Sequence, residues 1–318
     1  AEPPQNNDAL VYNGARRRSA LEHPSLQAAL IKLVLHFGAL LPLPLLSLLG
    51  SLAGLGFYLV PNRHRRVTDT NLRLCFPELS ARRRRRLARL SLIETARTFV
   101  ESPKVLLASP QRIMALIRSV DGLEALEQGV AAGKGAIIMG PHLGNWEIGA
   151  LYCSYRFPIT SMYRPQRNAT INELMLAGRR GFQAHLVSAD AQGLKAQLQA
   201  LRRGELIGTL PDHSPAKGSG VFAPLFGLPA YSPVIAARLA RKTGAAVFYG
   251  FAERRPWGGG FDVVFRRAGA DIYHPAVEQA VASMNRDLES LIRARPEQYW
   301  WSYKRFRRRP EGQPSRYD

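Results

Sequence analysis

The heptapeptide PHLGNWE, residues 141–147, places a histidine and a glutamate five positions apart. It directly follows the apolar run AIIM, residues 136–139, which is a candidate for a buried strand. His142 is therefore expected at the carboxyl end of a strand, just ahead of a helix that begins near Asn145. Ligands bind at that edge in open α/β sheets, so the pair lies where a substrate would bind.

On one ideal helix, side chains five residues apart point about 140° away from each other. With His142 in the loop and Glu147 in the first helical turn, we instead expect the carboxylate to turn back to one imidazole nitrogen. It would fix the tautomer and leave the other nitrogen as a general base. The nucleophile would then be a substrate hydroxyl, which predicts acyl transfer to an alcohol without an acyl-enzyme. The alternative is a hydrogen-bonded structural histidine.

Composition indicates the kind of partner. The 318 residues carry 44 Lys+Arg against 24 Asp+Glu, a net charge of +20, which favours nucleic acid, anionic lipid or an acidic carrier protein. The two cysteines, Cys75 and Cys153, are predicted to be buried thiols in a reducing compartment. The other histidines are scattered without ligand spacing, so neither a metal nor another cofactor is expected.

Residues 33–61 contain no Asp, Glu, Lys or Arg and are long enough to cross a bilayer as one helix. We predict a retained N-terminal membrane-anchoring helix, although Pro42 and Pro44 would kink it and a re-entrant or interfacial path is also open. A buried helical hairpin is the soluble alternative. Because basic residues are denser after this segment, the positive-inside rule places the following domain in the cytoplasm.

Residues 64–107 are predicted to be helical, with Pro77 and Pro103 as breaks. The arginine run 82–86 is either a solvated helix face or a contact with anionic headgroups. From about residue 120, apolar runs alternate with helical segments, which predicts an α/β domain with a central, largely buried sheet flanked by helices. In this pattern a Gly/Pro-rich loop follows the apolar run near residue 206.

The sequence resembles the late acyltransferases of lipid A biosynthesis, which are lauroyl and myristoyl transferases of Gram-negative bacteria. They belong to the glycerolipid acyltransferase superfamily marked by H-x-x-x-x-D/E. The resemblance is carried by NLRLCFPELS (71–80), PHLGNWEIGA (141–150), MYRPQRN (162–168), RRGF (179–182), TLPDHSPAKGSGVFAPLFGLPA (209–230) and PEQYWWSYKRFRRRP (296–310). It implies a single glycerolipid-acyltransferase-like domain at 63–310, after an extension at 1–25 and an anchor at 26–62, with a tail at 311–318.

The resemblance also implies catalytic roles. His142 would deprotonate the acceptor hydroxyl, and Glu147 would orient and charge it. Arg164 would stabilise the transition-state oxyanion, in line with the general need for a cation or N–H donors there.

The candidate substrate-binding residues are Asn145, Arg179, Arg180 and Asp212. The two arginines match the family's basic pair and could clamp phosphates. Asp212 matches the acidic position of the family's Asp-Gln pair. His213 stands where glutamine is usual, which puts the role of that amide in doubt.

The implied reaction moves a fatty acyl chain from acyl carrier protein to a hydroxyl of an acylated lipid A precursor, with no nucleic acid as partner. It would take place at the bacterial inner membrane, on the cytoplasmic side and in contact with anionic membrane lipid. The alternatives are acylation of a lysophospholipid or another hydroxylated lipid, and a non-enzymatic, membrane-tethered protein that binds anionic ligands. The aromatic and basic segment 300–309 fits a membrane interface, a nucleic-acid contact or a packed C-terminal segment.

Overall fold

The computed structural model describes residues 26–179 and 181–317. The predicted extension 1–25 and Arg180 lie outside these residues. The helices are α1 (Leu26–Leu40), α2 (Leu43–Leu59), α3 (Arg63–Cys75), α4 (Ala81–Leu107), α5 (Pro110–Met114), α6 (Leu123–Ala131), α7 (Trp146–Arg156), α8 (Ala169–Gly178), α9 (Ala191–Arg202), α10 (Ile235–Thr243) and α11 (Val277–Ala294). The strands are β1 (Ile117–Asp121), β2 (Ala136–Met139), β3 (Ile159–Tyr163), β4 (Ala184–Ser188), β5 (Leu206–Thr209), β6 (Gly220–Leu225), β7 (Leu228–Pro233), β8 (Ala246–Arg254) and β9 (Phe261–Arg267).

Seven strands form the central sheet in the order β1-β9-β8-β2-β5-β3-β4. Strand β2 pairs in parallel with β5 and β8, and β3 pairs in parallel with β5 and β4, whereas β9 runs antiparallel to β8. All four residues of β2 are buried, as expected for a strand covered by helices on both faces. The predicted α/β domain is therefore confirmed. Parallel strands share a carboxyl edge, and the segments that contain His142, Arg164 and Asp212 all follow strands at that edge.

The Gly/Pro-rich segment after β5 was predicted to be a loop, but it contains the antiparallel hairpin β6–β7. Its two-residue turn, Phe226-Gly227, has φ values of 52° and 70°. Positive φ at both central residues is the requirement of the tight turn that matches strand twist. Pro224 and Pro229 obscure this hairpin in the sequence, because proline is a weak strand former. The two prolines face each other in the ladder of this separate two-stranded sheet.

The long uncharged segment does not form one helix. It divides between α1 and α2, and Pro42 caps the second helix while Pro44 lies in its first turn. The prolines thus mark a break between two helices where a kink in one helix was predicted. The predicted single anchoring helix is not confirmed, since no helix in the described ranges is by itself both long and apolar enough to cross a membrane. By length and composition, α2 and α3 would meet the requirement together, but they are bent by 80°.

Helix α2 packs closely along α4 because two glycines face it. A Cβ atom on Gly54 would lie 2.4 Å from the Cα atom of Ile93, and one on Gly50 would lie 2.6 Å from that of Arg97. The guanidinium of Arg97 also donates to the Ser51 hydroxyl at 2.9 Å. The sides of α1 and α2 turned away from α4 expose many apolar side chains: Leu26, Leu30, Leu33, Val34, Phe37, Leu40, Leu45, Leu48, Leu49, Leu52, Phe57 and Leu59.

The predicted helical region 64–107 consists of α3 and α4, and Pro77 lies in the turn between them. Pro103 was predicted to be a break, but α4 continues through it to Leu107. Its ring faces Gly38 of α1, where a Cβ atom would lie 3.1 Å from the proline Cβ. Helix α1 packs against α4 at this point.

A buried network of charged side chains holds α4 against the sheet, next to the carboxyl edge of the parallel strands. Arg254, the last residue of β8, donates to Glu101 at 2.8 Å, to Glu94 at 2.7 Å and to the Thr98 hydroxyl at 2.8 Å. Burial alone would lower the pKa of Arg254, but the two carboxylates outweigh it and raise the pKa. The Glu101 carboxylate also accepts from the Asn145 amide at 3.0 Å. The network thus connects α4, β8 and the start of α7.

Replacement of Glu101 by alanine is expected to destabilise the protein by about 3–5 kcal/mol, because it leaves a buried guanidinium without its main counter-ion. The matched control is Glu253→Ala, which breaks the more exposed pair with Arg295 at 3.1 Å. That change is expected to cost about 1 kcal/mol or less. Denaturant titration in detergent gives both free energies of unfolding. Equal losses would contradict a structural role for the buried network.

Candidate active site

His142 is held by Asp212. The Nδ1 atom of His142 lies 3.0 Å from one carboxylate oxygen, and its backbone N–H donates to the other oxygen at 2.8 Å. Both residues are buried, with 7% and 1% of their surface exposed. An ionised carboxylate only accepts hydrogen bonds, so the proton of the neutral imidazole lies on Nδ1. Nε2 then carries the lone pair that a general base needs.

The sheet register explains this contact. Met139 and Thr209 are partners at the carboxyl ends of β2 and β5, and Gly140 continues the ladder by donating to the Thr209 carbonyl at 2.9 Å. His142 and Asp212 each lie three residues beyond these partners. Two loops leaving adjacent parallel strands at the same level bring the two side chains together.

The charge of Asp212 is strongly stabilised. Burial by itself would raise its pKa, but the electrostatic interaction with His142, the hydrogen bonds from His142 and the neighbouring His213 outweigh burial and hold the pKa well below its usual range. Asp212 is therefore a carboxylate at any pH at which the protein would work. It can orient the imidazole and stabilise the imidazolium formed when Nε2 takes a proton.

Glu147 does not contact the His142 ring as predicted. It lies in the first turn of α7, and its carboxylate pairs with Arg179 at 3.0 Å. The physical reason is that both His142 and Glu147 have other partners. Asp212 already accepts from both N–H donors of His142, while Arg179 at the end of α8 offers Glu147 a full positive charge. The carboxylate that orients the histidine thus comes from the neighbouring strand's loop.

The other predicted residues are spread over the same edge. Arg164 directly follows β3 and is exposed, two strands from β2 in the sheet. Asn145 is 1% exposed; its oxygen caps α7 and its amide donates to Glu101, so it supports the fold and does not face a substrate. Arg179 caps the end of α8 and pairs with Glu147, and its predicted contact with a phosphate stays a prediction.

Aromatic side chains surround His142. Its ring centroid lies 5.0 Å from that of Trp146 and 5.2 Å from that of Trp300, and the two indoles stack at 5.7 Å. The ring of Phe99, which is 55% exposed, meets both indoles edge-on at 6.4 and 6.3 Å. This apolar wall suits an acyl chain and limits the access of water, which would compete with an alcohol as nucleophile.

The C-terminal segment is a packed part of this site. The Trp300 backbone N–H donates to the His142 carbonyl at 3.0 Å. Trp301, Phe306 and the guanidinium of Arg305 are buried beneath it, and Arg305 donates to the Tyr231 carbonyl at 2.8 Å. Of the three predicted uses of the segment, packing describes these residues.

His213 has a position that sequence reasoning did not find. Its ring stacks on that of His142 at 4.0 Å with planes 13° apart, and its other face stacks on Tyr303 at 4.4 Å. Burial first, and then the electrostatic effects of His142 and Arg305, lower its pKa from 6.5 to about 4, against the opposing effect of Asp212. His213 is neutral at pH 7. The only signal in the sequence is its place beside Asp212.

Residues 16–308 match the family model described as "Bacterial lipid A biosynthesis acyltransferase". The chain belongs to this family. The resemblance inferred from the sequence motifs is thereby confirmed, and the chain is an acyltransferase.

Individual relatives agree. A lipid A biosynthesis lauroyltransferase of Escherichia coli (strain K12) is 31% identical over 301 residues, 94% of this chain and 97% of that protein. A lipid A biosynthesis palmitoleoyltransferase of the same organism is 27% identical over 285 residues, 89% and 92% of the two chains. A phosphatidylinositol mannoside acyltransferase of Mycobacterium tuberculosis is 28% identical over 149 residues, 45% of this acyltransferase and 47% of that protein.

The lowered pKa of His213 predicts a pH dependence of stability. Between pH 6.5 and about 4 the unfolded chain binds a proton on this residue that the folded protein does not, so stability falls as the pH falls through this window. Replacement of His213 by glutamine, which does not titrate, is expected to remove this part of the slope. Thermal unfolding midpoints at several pH values provide the measurement. His185→Gln, at an exposed position on β4, is the control; identical slopes in all three proteins would refute the prediction.

Proposed function

We propose that this acyltransferase moves a fatty acyl chain from acyl carrier protein to a hydroxyl of an acylated lipid A precursor, with His142 as the general base. The observation that carries the proposal is the His142–Asp212 pair. It leaves Nε2 available at the carboxyl edge of the sheet, inside an aromatic wall. No protein nucleophile is needed, because the acceptor hydroxyl attacks the thioester directly.

In the proposed mechanism, Nε2 of His142 takes the proton of the acceptor hydroxyl as the alkoxide oxygen attacks the thioester carbonyl. Asp212, buried and ionised, stabilises the imidazolium. The tetrahedral oxyanion then collapses, the carbon–sulfur bond breaks, and the thiolate leaves on the carrier. The imidazolium returns its proton to that sulfur, which restores the base and balances the reaction.

Arg164 is proposed to stabilise the oxyanion. It follows β3, two strands from β2, which places the strand ends about 10 Å apart. Its exposed guanidinium has no carboxylate within ion-pair distance in the described parts of the chain. A long side chain with a free charge can cover much of this distance. Arg180 is proposed to meet an acceptor phosphate.

Charge and relatives support the choice of substrates. A net charge of +20 suits both an acidic carrier and a phosphorylated acceptor. The two E. coli relatives, matched over most of their length, act in lipid A biosynthesis by name. The mycobacterial relative, matched over 47% of its length, is named for another lipid acceptor, so other hydroxylated lipids are the alternative. The proposed location is the bacterial inner membrane, with the site on the cytoplasmic side, supported by the exposed apolar faces of α1 and α2.

Three variants test the roles of the site residues. His142→Ala is expected to lower kcat by about 10²–10⁴-fold through loss of the base. Asp212→Asn is expected to lower it by at least about 10²-fold, because the amide no longer fixes the tautomer or stabilises the imidazolium. Glu147→Gln is expected to cost less than Asp212→Asn, since it weakens only the pair with Arg179. The reverse order would assign the orienting role to Glu147.

The substrate assignment is tested by acyl transfer in detergent followed by mass spectrometry. Tetra- and penta-acylated lipid A precursors and lysophospholipids are offered with acyl carrier protein or coenzyme A thioesters. A mass gain of one acyl chain on a lipid A precursor, absent in His142→Ala, is the expected result. Gain only on a lysophospholipid would overturn the proposed acceptor, and gain only from coenzyme A would overturn the proposed donor.

A further inference from the structure

The first three turns of α4 form a basic cavity beside the end of α2. It has a volume of about 580 Å³. Five arginines from α4 line it together with Tyr58 and Ser80: Arg82, Arg83, Arg85, Arg86 and Arg89. These five form the arginine cavity of the following paragraphs. It lies at the amino end of α4, whereas Phe99 of the aromatic wall lies in the second half of the same helix.

Arg84, in the middle of the same run, has a different role. Its guanidinium donates to the backbone carbonyls of Phe76, Pro77 and Leu79, so it fixes the turn between α3 and α4. The run is therefore not uniform. One arginine supports the fold, and its neighbours in sequence surround a cavity.

The arginine cavity has positive charge without compensation. In the described ranges, none of its five guanidinium groups lies within ion-pair distance of a carboxylate. Acidic residues nearby in the sequence are engaged elsewhere: Asp69 with Arg65 at 3.8 Å and Glu78 with Arg293 at 3.4 Å. The amino end of α4 adds further positive potential. A bound anion would relieve the mutual repulsion of these groups.

The neighbours of Tyr58 indicate which class of anion would bind here. Phe57, Leu59 and Val60 on either side of it are 49%, 64% and 61% exposed. They continue the exposed apolar face of α1 and α2. Basic groups directly bordering an exposed apolar surface are the arrangement that a bilayer interface requires, with charges at the headgroups and apolar side chains among the acyl chains.

We infer that the arginine cavity binds the phosphate of an anionic phospholipid headgroup in the membrane surface. Guanidinium groups match phosphate oxygens in a fork geometry, and several of them converge here. The inference rests on the membrane location proposed above and adds a specific site to it.

The position of the cavity gives this binding a consequence. Thr98 of α4 contacts the loop after His142 through the Gly144 carbonyl at 3.3 Å. From Arg89 and Arg85 to Thr98, the helix rises by about 13–20 Å. Because α4 is one continuous helix, a headgroup in the arginine cavity fixes the distance of the active site from the bilayer surface.

The test is vesicle co-flotation of the full chain, which needs no turnover and so is independent of the proposed acyl transfer. Vesicles contain phosphatidylcholine alone or with phosphatidylglycerol. The triple variant Arg85→Gln, Arg86→Gln, Arg89→Gln is expected to bind the anionic vesicles on the order of 100-fold more weakly than wild type. Its weak binding to neutral vesicles is expected to stay within about twofold.

A matched control removes three basic groups from a second surface cavity, at the amino edge of the sheet, with Lys134→Gln, Arg202→Gln and Lys242→Gln. Its binding to anionic vesicles is expected to fall much less. If both triple variants lost the same affinity for anionic vesicles, the loss would reflect net charge alone, and the inferred headgroup site would be refuted. Unchanged vesicle binding with lost binding of acyl carrier protein would also overturn it, and would make the cavity a protein-docking surface.

Discussion

The contact between Asp212 and His142 is the interaction on which the rest of the site depends. A buried carboxylate is costly unless hydrogen bonds and a nearby positive charge compensate it, and here one residue supplies two N–H donors to its two oxygens. The compensation works only if β2 and β5 stay in register. The parallel ladder, the loop at Gly140 and the backbone bond from Trp300 to His142 all serve to hold that register at the edge.

A second set of buried charges, between β8 and α4, stabilises this edge of the sheet. Arg254 ends the strand on the other side of β2, and it is satisfied by two carboxylates and a hydroxyl from α4. Asn145, at the start of α7, belongs to the same network through Glu101. The base and its carboxylate therefore lie between elements that cannot shift without exposing an unpaired charge, and such preorganisation is what general-base catalysis requires.

Helix α4 connects the chemistry to the proposed membrane surface. Its amino end carries the arginine cavity, its middle accepts α2 through Gly50 and Gly54, and its carboxyl half supplies Phe99 and Glu101 to the active site. One continuous helix, α4, thus connects the proposed headgroup site, the apolar surface of α2 and the aromatic wall of the active site.

The sequence by itself determined the alternation of strands and helices, the break at Pro42, the place of His142 at the end of a buried strand, and the family. These follow from local patterns: apolar periodicity, proline and short motifs read along the chain. It could not determine which carboxylate meets the histidine, because Glu147 is near in sequence whereas Asp212 is 70 residues away. Only the pairing of β2 with β5 brings Asp212 to His142, and only the end of α8 offers Arg179 to Glu147. The stacking of His213 between His142 and Tyr303 likewise joins three distant segments, and such contacts are decided by tertiary packing.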